Sequence, residues 1–94
     1  MIRYRLYTRN AANLPMLVAR YFPCAALFEA LSVWEPESHP DYPHEVTTEQ
    51  SCVIEILGSR ADHTDVTLLA SCIKQTNREQ SVVMTWHDIN TQTI

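Results

Sequence analysis

Glycine is almost absent from this sequence. One residue, Gly58, serves all 94 positions, so glycine-rich phosphate loops and dinucleotide fingerprints are excluded. No run of about 18 uncharged apolar residues occurs, which excludes a helical membrane span. The first residues, Met1-Ile2-Arg3-Tyr4-Arg5, lack the apolar core of a secretion signal. The three cysteines, Cys24, Cys52 and Cys72, form no C-x-x-C pair, so neither a zinc ribbon nor a redox motif is indicated. Three thiols and no leader predict a reducing, cytoplasmic setting, with the cysteines as small core residues. A hydrophobic share of 46% against 19% charged residues describes one globular domain spanning residues 1–94.

Charge is scarce overall but strongly segregated. The net charge is -4. Arg3, Arg5, Arg9 and Arg20 stand unopposed in residues 1–28, whereas residues 29–65 carry nine acids against Arg60. A basic opening segment and an acidic middle predict internal pairing and, for the middle, attraction to a basic protein surface. A nucleic-acid partner calls for a basic excess on one face, and none is expected here.

Residues 2–9 alternate as a strand, with Ile2, Tyr4, Leu6 and Thr8 on one face and Arg3, Arg5, Tyr7 and Arg9 on the other. Leu14, Leu17, Val18, Tyr21 and Phe22 make the stripe of a short helix, capped by Asn13, tolerant of Pro15 and stopped by Pro23. Residues 25–34 read as a strand apolar on both faces. Residues 35–49 hold three of the five prolines, five acids and two histidines, and read as a long acidic loop. Residues 50–57 are a strand, and Asp62 is placed to cap a helix with the stripe Val66, Leu69, Ala70 and Ile73. Residues 81–87 are the last strand, and 88–94 a polar tail.

Strand, helix, strand, strand, helix, strand, wound with right-handed crossovers, is an α+β ferredoxin-like βαββαβ plait: a four-stranded antiparallel sheet with two helices on one face. The first and third strands are then central, and Glu55 falls beside an arginine of the first. The uncovered face carries Arg3, Arg5, Tyr7 and Arg9 with Val53, Glu55 and Leu57. The second strand adds either Leu27, Leu31 and Val33 or Phe28, Ala30 and Trp34. Either set leaves apolar surface that a second molecule must cover. The expectation is a homodimer, through the sheet face or through the second-strand edge, with Tyr7, Leu27, Phe28, Leu31, Val53 and Leu57 as interface candidates.

Chemistry is harder to find. His39 and His44, with Asp41 and Glu45, offer a nonspecific H-x4-H spacing that is more simply a solvated loop, so no metal and no other cofactor is expected. Tyr4, Tyr7, Tyr21, Trp34, Tyr42 and Trp86 either fill the core or line a pocket between sheet and helices. No base–nucleophile pair is visible, so no catalytic residue is assigned. RNA stacking on the central strands meets Glu55 where a base would lie. Trp34, Glu37, His39, Asp41, Tyr42, His44 and Glu45 are the candidate partner-binding residues.

The segment Glu49-Gln50-Ser51-Cys52-Val53-Ile54-Glu55-Ile56 resembles an E-x-S-x-V-x-E-I strand found in a group of small bacterial and phage-type proteins. That group also has a helix ending near Phe22-Pro23, a strand closing on a tryptophan like Trp34, and a Q-E-S-V-like final strand, here Glu79-Gln80-Ser81-Val82. The resemblance implies a ferredoxin-like fold and carries no catalytic residue with it. The expected function is a non-catalytic, self-associating binding module acting through protein contacts, such as a small phage-type inhibitor of a host system. The alternative is a small-molecule binder or cofactor-independent enzyme of the dimeric α/β-barrel type.

Overall fold

The computed structural model describes residues 1–34 and 47–94. Its elements run β1 (Ile2–Arg9), α1 (Leu14–Tyr21), β2 (Ala26–Trp34), β3 (Thr47–Gly58), a 3-10 turn (Arg60–Asp62), α2 (His63–Thr76) and β4 (Val83–Asp88). The sheet order is β2-β3-β1-β4, antiparallel throughout, with both helices on one face. This is the ferredoxin-like plait expected from the pattern, with β1 and β3 central.

Alternation decides what enters the core. Ile2, Tyr4 and Leu6 of β1 and Cys52, Ile54 and Ile56 of β3 meet Leu14, Leu17, Val18 and Phe22 from α1 and Val66, Leu69 and Ile73 from α2. Each large apolar side chain sealed there contributes about 1.5–3 kcal/mol of burial. The plait is closed at one end of the helix pair by Asn13, whose Nδ2 donates to Oδ1 of Asn77 at 2.8 Å.

Several boundaries differ from the sequence reading, each for a local reason. Neither expected N-cap caps its α-helix. The Asn13 side chain is turned toward Asn77 by its Nδ2 and its Oδ1 accepts from no N–H of α1, and Asp62 reaches back to accept from the Ser59 N–H at 2.8 Å, capping the 3-10 turn instead. β3 begins at Thr47, three residues inside the expected loop, because Thr47 and Thr48 pair with Trp34 and Val33. β4 begins at Val83 rather than Ser81. The Arg9 N–H, which a longer β4 would need, donates to Glu79 Oε1 at 2.8 Å. Pro23 ends α1 as expected, with Phe22 extended at φ -136. Of the cysteines, all free, Cys52 is buried, Cys72 half-buried and Cys24 exposed, so Cys24 is not the core residue that was expected.

Candidate functional site

The strand register turns the open face into ordered rows. Phe28 pairs with Val53, Val53 with Tyr7, and Tyr7 with Val83, so one apolar row crosses all four strands. Three of its members are left in solvent, Phe28 at 49% exposed, Tyr7 at 40% and Val83 at 54%, and Val53 between them is half-buried. The neighbouring row is polar. Arg5 lies opposite Glu55 and bonds it through Nε and Nη2, both at 3.0 Å, and Arg3 Nε stands 3.7 Å from the same oxygen. The hydrogen bond to Glu55 holds the Arg5 guanidinium yet more firmly protonated. The pair is solvent-screened and fixes register more than it adds stability. Arg3 Nη2 also meets His87 Nε2, and Leu57 flanks Arg3 on β3.

Register also settles which residues of β2 face which way. Phe28 and Ala30 lie on the open face. Leu27 pairs with Ile54 and Leu31 with Gln50, on the helix side. Of the six interface candidates, Tyr7, Phe28, Val53 and Leu57 therefore share the open face, and Leu27 and Leu31 do not join them. Leu31 and Val33 remain exposed all the same, because the eight residues of α1 do not roof the far end of β2. Of the partner-binding candidates, Trp34 is the last residue of β2, and Glu37, His39, Asp41, Tyr42, His44 and Glu45 lie outside the described residues.

A polar site forms where β1 ends. The Glu79 carboxylate, only 5% exposed, accepts from the Thr8 hydroxyl and the Arg9 N–H, and Arg9 Nε lies 3.7 Å from it and 3.6 Å from Glu49. Arg9, Glu49 and Glu79, with Arg78, Gln80 and Ser81, line a cavity of about 450 Å³, next to a groove of about 380 Å³ reaching Tyr7, Thr8, Ser32 and Ser51. Arg78 adopts φ 53, a left-handed conformation rare for arginine.

At the opposite end of the sheet, a cavity of about 530 Å³ opens at the β4 edge among Ile2, Tyr4, Arg60, His63, Trp86, His87 and Asp88. His63 belongs to none of the groupings read from the sequence. The β1–β4 register and the first turn of α2 put it edge-on to Tyr4 and Trp86, with centroids at 5.9 and 4.8 Å. The Tyr4 hydroxyl donates to the Ser59 carbonyl at 2.7 Å, and burial, helped by Asp62, pushes its phenol above the ordinary value. Among the described residues, no group of three or more His, Cys, Asp or Glu side chains is placed to hold a metal ion, and no helix is long and apolar enough to cross a membrane.

No protein-family model matches this chain, and no curated protein matches it in sequence. Solved structures do resemble it. Bacillus subtilis GlnK is 17% identical with a TM-score of 0.73, covering 94% of this chain and 83% of that one. A phage SAM lyase in complex with S-methyl-5'-thioadenosine is 15% identical with a TM-score of 0.64, covering 93% of this chain and 80% of that one. The divalent cation tolerance protein CutA1 of Thermus thermophilus is 13% identical with a TM-score of 0.63, covering 99% and 88%. At such identities the likeness establishes what the chain shares with all three, the four-stranded plait with two helices on one face.

Proposed function

We propose that this chain is a non-catalytic, self-associating binding module of the reducing cytoplasm, whose copies meet through the open face of the sheet. The row Phe28–Val53–Tyr7–Val83 carries this reading, because an apolar band across four strands with three of its four members exposed is the usual mark of an interface. The Arg5–Glu55 pair beside it supplies a polar flank that specifies orientation. A homodimer is the simplest assembly on this reading. The acidic stretch 35–49, with Trp34, Glu37, His39, Asp41, Tyr42, His44 and Glu45, then faces a basic protein surface, and the module acts by occlusion, as a small phage-type inhibitor does.

Sedimentation velocity at micromolar concentration tests the assembly. The wild-type chain is expected to sediment as a multiple of 10.8 kDa and Phe28→Asp as a folded monomer. A monomeric wild type removes the reading. For the acidic stretch, replacing Glu37, Asp41 and Glu45 by alanine is expected to weaken capture of the host partner and flatten its salt dependence. Unchanged capture rejects it as the contact.

A second reading, a small-molecule site with or without catalysis, is favoured by the cavity at the end of β1, where a nearly buried carboxylate, Glu79, meets Arg9 beside Tyr7. Similarly folded structures hold adenosine compounds, S-methyl-5'-thioadenosine in the phage lyase and ATP in a GlnK complex. Calorimetry with ATP and with S-adenosylmethionine, followed by assay for loss of the latter, separates the readings. Consumption of S-adenosylmethionine by the wild type and not by Glu79→Gln makes the chain an enzyme.

A further inference from the structure

The cavity at the β4 edge is unlike the open face and lies at the other end of the sheet from the Arg9–Glu79 site. Its floor comes from core residues. Ile2 and Tyr4 are buried, and Tyr4 sits between Ile56 and Trp86 in the row that runs from β3 to the β4 edge. α2 covers the inner part of that row and stops short of its end. Trp86 consequently remains 52% exposed, touched on one side by His63, with the rest of its indole facing the cavity. An indole half in water and half against an ordered aromatic wall is a stacking platform for a flat ring.

The polar groups at this site divide into those already satisfied and those still free. The Tyr4 hydroxyl is committed to the Ser59 carbonyl, and the Asp62 carboxylate to the Ser59 N–H and hydroxyl. The His63 ring and the Trp86 indole N–H have no hydrogen-bond partner among the described residues. The guanidinium of Arg60 is 85% exposed, and its one ion-pair contact among the described residues is a loose 3.9 Å approach to Asp88. The free groups are thus an indole N–H donor, an imidazole, and the weakly engaged pair of Arg60 and Asp88, the latter 74% exposed, of which the guanidinium is suited to bidentate binding of a carboxylate or phosphate.

The geometry points to a ligand site for a planar aromatic anion, of one or two fused rings, stacked on Trp86 beside His63 with its acidic group at Arg60. The volume of about 530 Å³ suits a molecule of that size. The incoming anion competes with the Asp88 carboxylate for Arg60, so the guanidinium alone holds a simple anion poorly and stacking on Trp86 must supply the remaining affinity, which selects acids bonded to rings. It goes beyond self-association and is independent of it, since none of Phe28, Val53, Tyr7 and Val83 lines it.

Nitrogen–proton correlation NMR of the full chain tests this, with indole-3-acetate, its neutral amide and plain acetate as probes, and Trp34→Phe to assign the Trp86 indole N–H signal. Indole-3-acetate is expected to shift the Trp86 and His63 signals saturably, with the amide and acetate each at least about tenfold weaker. Arg60→Gln, at an exposed position where folding is not at stake, is expected to lower affinity for the acid about tenfold and leave the amide unchanged. Trp86→Leu, which keeps the edge apolar, is expected to abolish binding of both ring compounds. Phe28→Asp is expected to bind as the wild type does, even if association is lost. No saturable shift at about millimolar probe, equal affinity for acid and amide, or an Arg60→Gln chain indistinguishable from wild type overturns the proposal.

Discussion

Asn13 and Asn77 share a single hydrogen bond across the two helices, Nδ2 of the first to Oδ1 of the second, while the other amide atom of each is buried without a partner. The start of α1 is thereby tied to the end of α2 by a pair that is only half satisfied. Removing one partner strands the other, and the cost of an unpaired buried amide is about 1–3 kcal/mol. Asn13→Ala is therefore expected to destabilise by that amount, and the double replacement Asn13→Ala with Asn77→Ala by less than the sum of the singles. Chemical denaturation of the four chains closes the cycle, and simple additivity would show that the pair is not coupled.

Gly58 is needed for space rather than for an unusual backbone angle. A β-carbon there would come within 2.5 Å of Asp62 Oδ2 and 3.3 Å of its Cβ, the side chain that receives the Ser59 N–H. Gly58→Ala is expected to push Asp62 off Ser59 and cost about 1 kcal/mol, the usual value of a lost cap. In a Gly58→Ala background, Asp62→Ala should then cost little more. A full additional penalty would mean that Asp62 had moved without losing its bond.

Arg78 occupies the left-handed position that closes α2, with the Glu79 N–H donating to the Lys74 carbonyl at 3.0 Å. Glycine adopts that conformation without the β-carbon penalty, so Arg78→Gly is expected to raise stability by up to about 1 kcal/mol. Thermal unfolding measures this directly. A loss of stability would show that the arginine side chain contributes more than its backbone costs.

Two buried groups make the fold sensitive to alkali. Burial raises the Cys52 thiol, and burial with Asp62 raises the Tyr4 phenol, above ordinary values of 9.0 and 10.0. Both stay protonated in the folded chain at pH values where the unfolded chain releases the proton. Their stabilising effect is complete below the unfolded values and fades as pH climbs through the folded ones. The urea midpoint is therefore expected to hold up to about pH 8 and fall between about 9 and 11, less steeply in Tyr4→Phe. A disulfide-exchange reagent at pH 8 should consume the Cys24 thiol quickly and the Cys52 thiol only as the chain unfolds. Equal rates would contradict the burial of Cys52.

The period-2 and period-3.6 patterns were sufficient for the plait, because β1, β3 and both helices are each buried on one side and alternate cleanly. β2 was different. Its residues are apolar on both faces, so no pattern could say whether Phe28 or Leu27 turned outward; pairing with Val53 and Ile54 settled it. The Arg5–Glu55 pair was legible because it needs only two neighbouring central strands in the common register. The Glu79 site and the Tyr4–His63–Trp86 cavity were not legible. Each joins residues more than fifty positions apart in sequence, and each depends on a detail of chain reversal: the left-handed Arg78 in one case, the 3-10 turn before α2 in the other.

The band Phe28–Val53–Tyr7–Val83 draws one residue from every strand and no two from the same one. A chain with any strand out of place displays only a fragment of it. On the proposed reading, recognition through that band would work as an inspection step: assembly would admit finished molecules and pass over half-built ones, so the quality of the population would be enforced by its own partners.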